Sequence, residues 1–137
     1  MKSTIAITGA TNTAGRLLSE QLAEKGFSLL LLSADTEALQ AWNTGLQEKF
    51  PLVSIDSMQC SYDASWQADI LVLNETKEHV LDIAAHVKNV VTRKPVIVLQ
   101  NQGNIIPLQD ITAVLPHCNL KEATGDTVVE AIEALAY

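Results

Sequence analysis

Basic side chains are scarce: nine Lys and Arg stand against sixteen Asp and Glu in 137 residues, a net charge of −7. A nucleic acid or an anionic membrane surface needs a basic patch to replace the counterions it releases, and Arg16, Lys88, Arg93 and Lys94 do not make one. Both are therefore set aside as partners. Aromatic residues are 4% of the chain while 47% is hydrophobic, so the core must be Leu, Ile, Val and Ala, the composition of a parallel sheet covered on both faces. Only two cysteines occur, Cys60 and Cys118, without C-x-x-C spacing, which suggests neither a disulfide framework nor a zinc ribbon. Long apolar runs are missing too: Leu29 to Leu32 is far too short to cross a bilayer, and the run after Lys2 is broken by Thr8 and Gly9 before it could act as a leader. A cytoplasmic setting is the resulting expectation.

What the sequence does contain is alternation. Short β-type runs near residues 4–8, 27–32, 52–58, 69–73, 95–99 and 118–123 are separated by helical patterns near 15–25, 36–50, 76–92 and 108–115, with a last helix from 126 onward. Leu39, Trp42, Leu46 and Phe50 form one apolar stripe, and Val80, Ile83, Ala84, Val87 and Val91 another. Gly26 is placed as a helix stop, Pro51 and Pro95 before strands, and Gly125 with Asp126 as a turn and N-cap. The length fits one domain over residues 1–137. Successive βαβ units predict an α/β fold, a doubly wound parallel sheet of about six strands with helices on both faces, ordered 3-2-1-4-5-6. Ligands bind such sheets at the carboxyl ends of the strands, where the order reverses.

At that end lies TGATNTAG, Thr8 to Gly15, a strand running through a tight turn into a helix. Unpaired N–H groups at a helix N-terminus, approached over small residues, make a phosphate cradle, here Gly9, Thr11, Asn12, Thr13 and Gly15. The same turn also has a purely architectural reading. Thr13 stands where a dinucleotide loop prefers glycine, so its branched side chain is expected to crowd the approach. Asp35 is placed either to accept from ribose hydroxyls or to cap the helix at Thr36, and Ser33 raises no objection to a 2′-phosphate. Asn74 either lines the ribose region or binds its own turn, and Thr76 is placed as a helix N-cap. Glu75, His79, Asp82 and His86 recur along one helical stripe, but His79 and His86 are about two turns apart, roughly 10 Å, too far to share a zinc. That stripe is expected to face solvent. His117 and Cys118 sit at the opposite end of the sheet, which argues against a thiol nucleophile.

TGATNTAG, LLLLSAD, TEALQAWNTGLQEKFP, VSIDSMQCSYD and ADILVLN, in this order over Met1 to Asn74, resemble the Rossmann half of the short-chain dehydrogenase/reductase family. The family motif T-G-x-x-x-G-x-G is matched at Thr8, Gly9 and Gly15 and missed at Thr13. The resemblance implies NAD or NADP as cofactor, with the second-strand selector near Ser33 and Asp35. It also implies an adenine-side Asp near Ser61, for which Asp63 is the candidate, and Asn74 opening the turn that in the family reads N-A-G. Residues 68–101 are similar, more weakly, to the cofactor domains of deazaflavin-linked NADP reductases. The family's proton-transfer pair Tyr-x-x-x-Lys is absent, since Tyr62 is followed at that spacing by Trp66 and Tyr137 ends the sequence. The expected function is a dinucleotide-binding protein transferring hydride. The alternatives are a non-catalytic member acting through protein interaction and a mononucleotide-binding α/β protein. A homo-oligomer could complete a site across an interface.

Overall fold

A computed structural model describes residues 3–100 and 105–135. Tyr137, and residues 101–104 at the expected ligand end of the fifth strand, lie outside the described residues. The chain runs β1 (Thr4–Ile7), α1 (Thr13–Glu24), β2 (Ser28–Leu32), α2 (Thr36–Lys49), β3 (Ile55–Met58), α3 (Ser61–Gln67), β4 (Ile70–Leu73), α4 (Lys77–Val87), β5 (Pro95–Gln100), α5 (Leu108–Val114), β6 (Asn119–Thr124) and α6 (Val128–Leu135). The six strands form one sheet ordered β3-β2-β1-β4-β5-β6, and every pairing is parallel. This is the doubly wound α/β architecture expected from the alternation.

The strands read as nearly continuous apolar runs because both faces are covered, yet alternate residues serve different layers. Ile5, Ile7, Leu29, Leu31, Ile70 and Val72 pack with Leu18 and Leu22 of α1, Leu39 and Leu46 of α2, and Val128 and Ile132 of α6. Ala6, Leu30, Leu71, Leu73, Val96 and Val98 pack on the other face with Ala64 of α3, Val80, Ala84 and Val87 of α4, and Ile111 of α5. Register locks the two layers together: Ile7 lies between Leu31 on one side and Val72 on the other. A shift by one residue would turn each set toward the wrong helices.

Several boundaries differ from the sequence reading. α1 begins at Thr13 because extended Asn12 accepts from the Gly15 N–H at 2.8 Å, a side-chain cap that starts the helix earlier than Gly15. β3 loses its first residues to a turn in which Val53 N–H donates to Phe50 O and Leu52 is fully exposed. α4 ends at Val87, although Val90 and Val91 stay buried after it, so the apolar period outlasts the helix. α6 starts at Val128, and the residue bonding the turn before it is Thr127, whose hydroxyl accepts from Thr124 N–H, in place of the expected Asp126 cap. Thr76 does precede α4 in extended conformation but makes no side-chain cap bond. Gly26, at φ 87°, closes α1 as expected.

Candidate functional site

The strand order reverses between β1 and β4, and the turn after β1 lies at their carboxyl ends. Gly9 adopts φ 61°, and a Cβ there would lie 2.1 Å from the Asn74 carbonyl oxygen after β4. Gly15 is equally constrained, since a Cβ would meet Gly9 O at 2.2 Å as the first turn of α1 crosses the loop. The glycines thus let two backbones and a helix approach one another. Asn74 ties them: its N–H donates to Thr8 Oγ1 at 2.9 Å, and its Nδ2 donates to Gly9 O at 3.1 Å and Asn12 Oδ1 at 3.0 Å. The Asn74 side chain is thus buried and engaged by the β1–α1 loop, in place of the bond to its own turn.

Asn12 uses its side-chain oxygen on Gly15 N–H, while the N–H groups of Thr13 and Ala14 make no hydrogen bond among the described residues. Those two donors, at the positive end of a three-turn helix, are what an anion would meet. Thr13 itself is exposed and does not line the cleft beside this turn.

Beside this turn a cleft of about 530 Å³ opens between the β1–α1 turn, the end of β2 and α4. Gly9, Thr11, Asn12, Ser33 and Asp35 line it, whereas Thr13, Gly15, Asp63 and Asn74 do not. Asp63 sits exposed in the first turn of α3, and Gln59 and Ser61 supply the β3 end of the lining instead. Ser33 and Thr11 join hydroxyls at 2.7 Å, Ser33 Oγ also accepts from Asp35 N–H, and Asp35 caps α2 by accepting from Ala38 N–H at 3.0 Å. The capping role left open for Asp35 is thus present, with its charge still at the rim. Arg16 is absent from the lining: its Nε donates to Thr11 O at 2.9 Å and its guanidinium lies 5.4 Å from the Trp42 ring centre.

Glu75, His79, Asp82 and Ile83 of the β4–α4 segment form the far wall of the cleft. His79, Asp82 and His86 are exposed, as expected of a solvated stripe, and the first two overlook the cleft as well. His79 Nδ1 lies 3.7 Å from Glu75 Oε2, and His86 turns away to meet Tyr62 edge-on at 6.0 Å. The usable signal is position: Glu75 lies just after β4, and the opening turns of α4 carry residues 79 and 82 beside the point of strand reversal. Among the described residues no group of three His, Cys, Asp or Glu is arranged to hold a metal ion. No described helix is long and apolar enough to cross a membrane. At the opposite end of the sheet, Cys118 donates to Leu115 O at 3.5 Å, and burial raises its thiol above the ordinary value, which makes a poor nucleophile.

No protein-family model and no curated protein sequence matches the chain. Solved structures do match its fold. An alcohol dehydrogenase specific for bulky-bulky ketones from Comamonas testosteroni superposes with a TM-score of 0.60 at 14% identity, over 96% of this chain and 81% of that one. A short-chain dehydrogenase from Sphingobium yanoikuyae in complex with NADPH gives 0.58 at 18% identity, over 73% of this chain and 54% of that one. Lactate dehydrogenase from Eimeria maxima with NADH and oxamate gives 0.70 at 9% identity, over 85% of this chain and 42% of that one. The chain therefore spans about half, or less, of the length of the last two. The shared fold is the Rossmann fold of NAD(P)-dependent dehydrogenases and reductases.

Proposed function

We propose that this chain binds a nicotinamide dinucleotide, NAD or NADP, across the carboxyl edge of its sheet as a short-chain dehydrogenase/reductase-like protein. The carrying observation is the 530 Å³ cleft built from the Gly9 turn, the end of β2 and α4 at the point of strand reversal. In this reading the diphosphate meets the Thr13 and Ala14 N–H groups, and the adenosine half lies between Ser33–Asp35 and α4. The other half points toward a second cavity of about 390 Å³ lined by Ala14, Leu99, Gln100, Ile105, Thr124 and Asp126. Gln100 organises that side by clamping Ile106, donating to its carbonyl at 2.6 Å and accepting from its N–H at 2.7 Å.

The dinucleotide, when bound, supplies hydride transfer, and the chain's own share is to bind and orient it. With no Tyr-x-x-x-Lys pair in the sequence, the accompanying proton is assigned to substrate, solvent or a partner chain. That same absence favours a second reading, a non-catalytic member of the fold acting through protein interaction. Neither oligomeric state nor substrate enters the proposal, and the single-domain organisation over residues 1–137 belongs to it.

Calorimetric titration of nucleotide-stripped protein with NADH and NADPH tests the reading. Gly9 is a poor probe because any side chain there disturbs the fold, so the informative variant is Ala34→Trp, which adds bulk at an exposed lining position. Saturable one-site binding that Ala34→Trp weakens by more than about tenfold, with an unchanged melting profile, is the expected result. Absence of binding by folded protein would sink the dinucleotide reading and leave the interaction module.

A further inference from the structure

The cleft carries an unusual charge for a site that is to hold a diphosphate. Three carboxylates line it, Asp35 at the end of β2 and Glu75 and Asp82 across from it on the β4–α4 segment, and no Lys or Arg appears among its described lining residues. The one lining group able to carry positive charge is His79, 3.7 Å from Glu75. The nearest cation in sequence to the Gly9 turn, Arg16, is held by Thr11 O and stacked over Trp42 outside the lining. Lys77, on the first turn of α4, is paired with Asp110 at 2.9 Å.

Resting on the dinucleotide reading, we propose that the β4–α4 segment is a specificity element: through Glu75 and Asp82 it disfavours a phosphate on the adenosine ribose, so the form taken is the unphosphorylated dinucleotide. A ribose phosphate adds close to two negative charges to a cleft already lined by carboxylates. The diphosphate common to both dinucleotides is offset by the N–H donors of α1, but the described lining offers the added phosphate no cation. The neutral Ser33–Thr11 hydroxyl pair suits a ribose hydroxyl, which can both donate and accept.

The experiment is parallel titration of the full chain with NADH and NADPH at about pH 8, where an ordinary imidazole is neutral, at low and moderate salt. NADH is expected to bind at least about tenfold more tightly at low salt, with the ratio shrinking as salt screens the carboxylates. Asp82→Asn and Glu75→Gln are each expected to raise NADPH affinity about threefold or more while changing NADH less. Asp82 is exposed and Glu75 half-buried, and a melting curve checks each variant's fold. Equal or tighter NADPH binding overturns the inference and leaves the dinucleotide reading standing. If Arg16→Ala then removes that NADPH affinity, the selector is Arg16. A preference for NADH that neither salt nor the Glu75 and Asp82 variants move also overturns it, by showing that shape and not charge selects. Failure of folded protein to bind either dinucleotide overturns the inference together with the reading beneath it.

Discussion

At the scale of single residues, Gly9 shows how a motif position can be right for more than one reason. Its place in TGATNTAG suggests a ligand's close approach, but the nearest neighbour of an added Cβ is the protein's own Asn74 carbonyl at 2.1 Å, in a backbone with φ 61°. Gly9→Ala must therefore move β4 away from β1 or abandon the left-handed conformation. Destabilisation of about 2–4 kcal/mol is expected by urea unfolding, whether or not nucleotide is present. Thr13 is the contrasting case. It stands at the motif's missing glycine, yet it is exposed at the start of α1 and outside the cleft lining. Thr13→Gly is expected to cost no more than about 1 kcal/mol, because the first helical residue loses little when its side chain packs on nothing. A loss at Thr13 rivalling that at Gly9 would show that the loop depends on the threonine. Sequence pattern marked both positions, but the distance from Gly9 to Asn74, 65 residues along the chain, could only come from folding.

At the scale of elements, what was legible tracked length and periodicity. α1, α2 and all six strands were readable because each presents several apolar positions to a covered sheet, and strand order followed from handed crossovers. α3 was missed: Ser61–Gln67 buries only Ala64 and Ser65, too few positions to show a period. Its stability comes from another element. Lys94, just before β5, donates its ammonium to Ser65 O and Trp66 O at 2.8 Å and to Ala68 O at 2.9 Å, supplying a cation to carbonyls at the C-terminal end of α3. Burial lowers the Lys94 pKa while Asp69 opposes that shift, so desolvation offsets part of what the three bonds contribute. Lys94→Met keeps an apolar side chain of similar length and removes the donors, together with the ammonium 6.0 Å from the Trp66 ring centre. A stability loss of about 1–2 kcal/mol is expected, with faster amide exchange confined to α3. A change below about 0.3 kcal/mol would mean that solvent serves those carbonyls equally well. The cleft's far wall was legible only in part. Glu75 lies just after β4, but charged residues on a helix ordinarily face water, as His79 and Asp82 do, and only the placement of α4 beside the strand reversal brings those two to the cleft as well.

At the scale of the molecule, the question is what the end of the sheet can do. β6 pairs only with β5 among the described strands, and Asn119, Lys121, Glu122 and Thr124 along it are exposed. Two copies joining these edges about a two-fold axis normal to the sheet must pair residues whose side chains share a face, so the axis passes through a residue. For Asn119–Thr124 the two longest overlaps place it at Lys121 or at Glu122. The first sets Lys121 against the Lys121 of the second copy, and the second does the same with Glu122. Like charges directly opposite destabilise an antiparallel pair, and charged edges are a common defence against such pairing. Glu122 is further engaged by Gln100 Nε2 at 3.4 Å, which holds it toward the ligand end of β5. If a homo-oligomer forms, this edge is the wrong place to look for it. The replacement Lys121→Val removes the repulsion at one register and adds a β-branched residue to an exposed strand. Sedimentation velocity is expected to show more concentration-dependent association than the parent chain does, an increase that Lys121→Glu does not reproduce. Association of the parent chain that Lys121→Glu disrupts would place its contact on β6, and the charge argument for this edge would then fail.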